Sequence, residues 1–324
     1  MQPFKFKEIF KEKIWGGDDI ARIKQRELPP NIGESFEISG VPGSETHVAG
    51  GPCDGMTLAQ LTEEYGEKFL GKANFQKFGT DFPLLIKFIS TASDLSVQVH
   101  PGEEMAHALG HPYGKNEMWY VVDAKLGAFV RDGFSRDFSE EEYLSSLDDG
   151  SLIPVINEFP TAAGDSFLVP AGRIHCIGGG NLIIEIQQSS DDTFRIYDYD
   201  RVAADGTKRE LHVDLARKAL SYKAVADPRV HYRSEPDRMV KLVDADYFRT
   251  RLGRIGKPLT IDYSTSDSFV ILIAFEGSAR ITDSEGNAIE LRAGESVLFP
   301  ACNDSIKAEP TGGGQFGFLE TGIF

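Results

Sequence analysis

The chain is poor in cysteine, poor in positive charge and free of long apolar runs. Cysteine occurs three times in 324 residues, as Cys53, Cys176 and Cys302. The three are far apart and odd in number, and no Cys-x-x-Cys pair exists. This argues against a disulfide framework and against a thiolate zinc site, and for a reducing compartment. Lys and Arg together number 34 against 50 Asp and Glu, a formal net charge of −16. So acidic a chain repels nucleic acid and anionic membranes, which excludes both as main partners. It also repels an anionic ligand at long range, so any phosphate-binding site must be a local cluster of Lys and Arg. No stretch approaches the length needed to span a bilayer. The charged segment Met1 to Trp15 lacks the apolar core of a signal peptide. The expected location is the cytoplasm.

What is present is a turn-rich β pattern. The chain holds 41% hydrophobic residues, enough for a sizeable core, and its 33 glycines and 16 prolines fall mostly singly between short apolar runs. Strands are expected at Leu84–Ser90, Leu95–His100, Glu117–Val122, Ser166–Pro170, Leu182–Gln187 and Thr193–Asp198. A second series follows from about Val240: Phe269–Phe275, Ser278–Thr282, Ala288–Leu291 and Ser296–Pro300. Two domains fit the length, divided as 1–235 and 236–324. Helices are few. Thr57 with Gln60, and Ser139 with Glu142, form capping-box signatures, the first helix running to about Gly71. A third helix is expected over Glu210–Tyr222. One long-range echo appears: Gly164-Asp165-Ser166-Phe167-Leu168-Val169-Pro170-Ala171 against Gly294-Glu295-Ser296-Val297-Leu298-Phe299-Pro300-Ala301. It reads as two copies of one β-barrel, the second decayed.

The polar residues of three segments point to a metal. In Leu95-Ser96-Val97-Gln98-Val99-His100 the period of two puts Ser96, Gln98 and His100 on one face. Gln98 and His100 are both competent ligands. Lys115-Asn116-Glu117 opens the next strand, with Lys115 and Glu117 sharing a face. Pro170-Ala171-Gly172-Arg173-Ile174-His175 is a strand end, a tight turn and a histidine on the return strand. This last segment resembles the second cupin motif, and Gln98-x-His100 followed by Glu117 resembles the first, with Gln in place of the usual leading His. The resulting set of Gln98, His100, Glu117 and His175 suits zinc, and by ligand type also iron or manganese. His107 and His111 are spaced i, i+4, but Gly110 and Pro112 flank the second, so no helix carries the pair. His47, His212 and His231 join no constellation.

With these residues in view, the chain resembles the class I mannose-6-phosphate isomerases of the cupin superfamily, over essentially its whole length. Further matches are Gly33-Glu34-Ser35-Phe36-Glu37-Ile38-Ser39, Ser96–Pro101, and the run from Glu185 through Asp191 to Arg195. Asn116 departs from the proline common in members. The resemblance implies a mainly β double cupin, two jelly-roll barrels with a few short helices. It implies reversible conversion of mannose 6-phosphate and fructose 6-phosphate through an enediolate. It implies one Zn2+ in the first barrel, a small hexose phosphate as substrate, and Lys87 and Ser96 toward the phosphate. Catalytic candidates are Arg195 for developing oxygen charge, Glu185 as the base, Lys115 as part of the local positive cluster with Lys87 and Arg195, and Asp191 to orient Arg195 or to serve as a plain turn acid. Glu185 lies among Ile183, Ile184 and Ile186, where partial desolvation suits a base. Where His175 would recur in the second barrel stands Ser305, and no His follows His231. That barrel is expected to bind no such metal and to serve packing or self-association. The rivals are another cupin enzyme, either a dioxygenase or an isomerase of different specificity, and a non-catalytic sugar-binding double barrel.

Overall fold

Strands that are apolar at nearly every position must be covered on both faces, and Leu84–Ser90 and Asn181–Gln188 are buried throughout. The computed structural model, which describes residues 1–202 and 206–324, places both centrally in a six-stranded sheet. Its order is Ser166–Val169, Glu117–Ala124, Asn181–Gln188, Leu84–Ser90, Ile32–Ile38, Ile9–Gly17. A five-stranded sheet packs against it, in the order Phe194–Tyr197, Val97–Val99, His175–Ile177, Phe129–Phe134, Ile156–Pro160. One apolar cluster joins Ile89, Trp119, Val121 and Ile183 of the larger sheet to Val130 and Ile177 of the smaller. A second pair of sheets follows from Met239. One runs Met239–Asp244, Arg249–Ile255, Phe316–Gly322, Val270–Glu276, Ser296–Phe299, and the other Leu259–Asp262, Ser305–Thr311, Ser278–Asp283, Ala288–Arg292. The molecule is mainly β and is a double cupin.

The sequence echo is a true structural repeat. Ser166–Val169 pairs with the Glu117 strand so that Val169 faces Glu117, and Ser296–Phe299 pairs with the Val270 strand so that Phe299 faces Val270. The correspondence continues inward. Glu185 lies opposite both Lys87 and Trp119, and Glu320 lies opposite both Arg251 and Leu272.

The two barrels share an apolar core. Phe4, Phe69 and Phe82 cluster with Phe269 and Leu298, and the rings of Phe82 and Phe269 lie 4.8 Å apart. The Phe4 and Leu298 backbones exchange hydrogen bonds of 2.8 and 2.9 Å.

Both capping boxes form, at the starts of helices Leu58–Tyr65 and Glu140–Asp148. The first helix stops short of its expected end. Gly66, at φ +52, breaks it, and two further short helices follow, Glu67–Leu70 and Lys72–Phe78. Gly71 between them is required by contact with the second barrel, since a Cβ there would lie 2.2 Å from the Asp267 carbonyl oxygen. The Asp267 carboxylate in turn accepts from the backbone N–H groups of Lys72 and Ala73 at 2.8 and 2.9 Å. The third expected helix is shorter, Val213–Ala219.

Candidate metal centre and its cleft

The short strand Val97–Val99 buries its valines and directs Gln98 to the other side, while the turn after Pro170 returns the chain so that His175 lies opposite Gln98. Glu117 arrives from the facing sheet, at the first residue of its strand. His100, Glu117 and His175 are all buried, and their ligand atoms lie within 4.8 Å of one another. His100 Nε2 is 3.4 Å from Glu117 Oε2, and His175 Nε2 is 3.6 Å from Glu117 Oε1. The Gln98 amide is 3.3 Å from His175 Nε2. All four side chains expected to form the ligand set therefore converge. Among the described residues no other cluster of three such groups occurs.

The surroundings prepare these groups for a cation. His100 Nδ1 donates to the Asp192 carbonyl at 2.7 Å, and His175 Nδ1 to the Arg173 carbonyl at 2.8 Å. Each bond sets the tautomer and leaves the Nε2 lone pair facing inward. Burial pushes the His175 pKa down to about 3, and burial with Lys115 beside it pushes His100 the same way, so both rings are neutral. Burial, with Glu185 nearby, pushes Glu117 up to about 7. Glu117 Oε2 is buried without a hydrogen-bond partner. The Lys115 ammonium stands 3.4 Å from it and 3.2 Å from His100 Nε2. A buried oxygen left this way is costly. Two neutral imidazoles, a carboxylate with a spare oxygen and an amide are a donor set that fits a divalent metal.

A cleft of about 310 Å³ opens onto this centre, lined by Lys87, Ser96, Gln98, Lys115, Glu185 and Arg195, with Asp191 also on its wall. The candidate residues thus share one site, but their partners differ from expectation. The Lys87 ammonium is not free. It sits 3.1 Å from Glu185 Oε1 and 3.7 Å from Glu34 Oε1, and these acids hold its pKa above the ordinary value against the pull of burial. Arg195 is not oriented by Asp191. Its Nη1 donates to the Glu210 carbonyl at 2.7 Å, whereas Asp191 is 3.9 Å from Lys11. The reason is register: the Arg195 strand lies at the sheet edge, so the returning chain at Glu210 and His212 covers it, His212 Nδ1 accepting the Arg195 N–H. Arg195 makes no ion pair among the described residues, and its Nε is buried without a partner. Burial, then Arg209 nearby, lowers its pKa.

Sequence reasoning passed over three residues here. Glu34 falls inside the Gly33–Ser39 segment, so a signal existed. It pairs with Lys13 at 2.8 Å. Arg209 lines the cleft and is gripped by the Asp198 carboxylate, with no motif to mark it. Trp119 donates its indole N–H to Glu117 Oε1 at 3.1 Å and to Glu185 Oε2 at 3.0 Å. The remaining histidines stay apart from the centre: His107 contacts the Pro112 carbonyl, His111 pairs with Asp192, and His231 with Asp227.

Residues 3–129 match the family model of the phosphomannose isomerase type I catalytic domain. The chain is 31% identical over 312 residues to the mannose-6-phosphate isomerase ManA of Bacillus subtilis, covering 95% of this chain and 96% of that protein. It is 32% identical over 303 residues to the mannose-6-phosphate isomerase of Streptococcus mutans, covering 92% of each. Among solved structures, the mannose 6-phosphate isomerase of Bacillus subtilis superposes over 100% of both chains with a TM-score of 0.88 at 29% identity. A putative mannosephosphate isomerase from Archaeoglobus fulgidus shares the fold, with a TM-score of 0.80 at 24% identity over 99% of this chain.

Proposed function

The chain belongs to the type I phosphomannose isomerases, and from that premise we propose that it interconverts mannose 6-phosphate and fructose 6-phosphate in the cleft beside Gln98, His100, Glu117 and His175. The observation that carries this reading is the convergence of those four side chains beside a cleft that Gln98 lines together with Lys87, Lys115, Arg195 and Arg209.

The reaction moves a proton between C1 and C2 and places charge on a sugar oxygen. It therefore needs a base, a fixed positive field and shelter from water. Gln98, His100, Glu117 and His175 would hold one divalent ion, which we take to be zinc. When bound it supplies Lewis acidity toward the sugar's carbonyl or hydroxyl oxygen. Glu185 faces the cleft with one oxygen on Lys87 and the other on Trp119, and we assign it the proton transfer. Arg195, which makes no ion pair among the described residues, is the fixed positive charge for the developing oxyanion. Lys115, buried between His100 and Glu117, adds positive charge next to the ligand carboxylate. Ser96 and the outer cations of the cleft receive the phosphate, Lys87 contributing its field through its pair with Glu185. Asp191 balances Lys11 at the cleft wall. The division into a catalytic unit, 1–235, and a covering unit, 236–324, follows the two pairs of sheets. No helix among the described residues is long and apolar enough to cross a membrane, and we place the enzyme in the cytoplasm. The oxygen-using cupin and the non-catalytic barrel do not fit the family.

A coupled isomerase assay on purified protein, run before and after chelation and alongside elemental analysis, tests the reading. One zinc per chain, activity on mannose 6-phosphate, loss with chelator and recovery on re-addition are expected. Full activity in metal-free protein would overturn it.

A further inference from the structure

Trp119 ties together the two carboxylates of the site. Its single N–H lies 3.1 Å from Glu117 Oε1 and 3.0 Å from Glu185 Oε2, and all three side chains are buried. Glu117 and Glu185 come from neighbouring strands of one sheet, with Glu185 directly opposite Trp119. Two buried acids facing one another repel, so a shared donor between them acts on both. The ring is wedged in place. It meets His175 edge-on at 5.5 Å and packs at 6.4 Å from Phe167, so the direction of its N–H is set by packing.

We propose that the Trp119 indole N–H is a positioning donor that fixes Glu117 and Glu185 at once. By holding Glu117 Oε1 it leaves Oε2 turned toward His100 Nε2, 3.4 Å away. By holding Glu185 Oε2 it leaves Oε1 to Lys87 and keeps that carboxylate against the cleft. The metal ligand and the proton-transferring group are thus set by one atom. The inference rests on the functional reading above and deepens it.

The second barrel is an internal control. In matched register it keeps the carboxylate and its cation, Glu320 with Arg251 at 2.9 and 2.7 Å. It replaces Glu117 with Val270 and Trp119 with Leu272. Glu320 there takes the Tyr263 hydroxyl at 2.6 Å instead. A buried acid–cation pair at this place in the barrel therefore needs no indole. The indole occurs in the barrel that also carries the ligand carboxylate.

A purely space-filling tryptophan would depend on its shape and not on its N–H. The test separates the two in the full-length, metal-loaded protein. Benzothienylalanine in place of Trp119 keeps the ring shape and replaces N–H with sulfur; Trp119→Phe is the second variant. The measurements are thermal midpoint, kcat, KM and the rate of metal transfer to a chromogenic chelator. The isosteric variant is expected to melt close to the wild type. Its kcat should fall about 10- to 100-fold with KM changed far less, and its metal should leave about 10-fold faster or more, the scale typical of groups that orient metal ligands. Wild-type kcat and wild-type metal release in that variant would overturn the proposal. So would a loss of kcat no larger than the loss of folded protein. A wild-type enzyme inactive on mannose 6-phosphate would instead sink the functional reading, and the metal-release arm would still decide the role of Trp119.

Discussion

At the scale of single residues, the site is a ladder of buried charges whose partners decide their roles. Glu34 shows how strongly. Burial alone would raise its pKa, but Lys87 and Lys13 outweigh it and bring it from 4.5 down to about 2. A carboxyl whose folded value is lower than its unfolded value is protonated first in the unfolded chain as pH falls. Its stabilisation is complete above about pH 4.5 and lost progressively toward pH 2, and amounts to about 3 kcal/mol at neutral pH. In Glu34→Gln, urea unfolding across that window should give a visibly flatter dependence of stability on pH than the parent. An unchanged slope would show that the Lys87–Glu34–Lys13 contacts carry no such linkage. The Gly33–Ser39 match contains Glu34 without singling it out, and nothing local to it showed that its partners are Lys13 and Lys87.

At the scale of elements, the local signals that succeeded were those whose physics is local. Thr57 and Gln60 exchange side-chain to backbone bonds of 3.2 and 2.9 Å, as their spacing alone required. Thr57→Ala should cost about 1 kcal/mol, lowering the thermal midpoint by a few degrees at most. The helix packs Leu58 and Leu61 into the core shared by both barrels, away from the cleft, so kcat should not change. A fall in kcat would show that this core communicates with the site. That helix ends at Gly66, at φ +52, and not near Gly71, whose place in the chain is decided by another part of the molecule. Gly71 lies against the Asp267 carbonyl, and the Asp267 carboxylate accepts from the backbone N–H groups of Lys72 and Ala73, across nearly 200 residues that no window of sequence spans.

At the scale of the molecule, the second barrel lacks the matching ligand residues and keeps the architecture. Its Val270 and Ser305 stand where a ligand carboxylate and imidazole would be, yet Phe269 and Leu298 remain in the core that also holds Phe4, Phe69 and Phe82. Burying side chains of this size contributes roughly 1.5–3 kcal/mol each, so the first barrel depends on the second for cover. A fragment ending at residue 235 should therefore aggregate or bind a hydrophobic dye strongly, even with zinc supplied. A monomeric fragment with sharp cooperative melting would refute this dependence. The net charge of −16 is compatible with an anionic substrate because Lys115, Arg195 and Arg209 gather at one cleft.

The sequence alone determined the candidate ligand set and the repeated barrel. Strand alternation and the Pro-Ala-Gly turn are short-range constraints, and they place Gln98, His100 and His175 whatever else the chain does. Only the tertiary structure decided which charges are spent on one another. Lys87 meets Glu185 across 98 positions, and Trp119 meets it across 66. Such pairs exist because two strands settle in one register, and register is chosen by the whole buried face rather than by any residue in it.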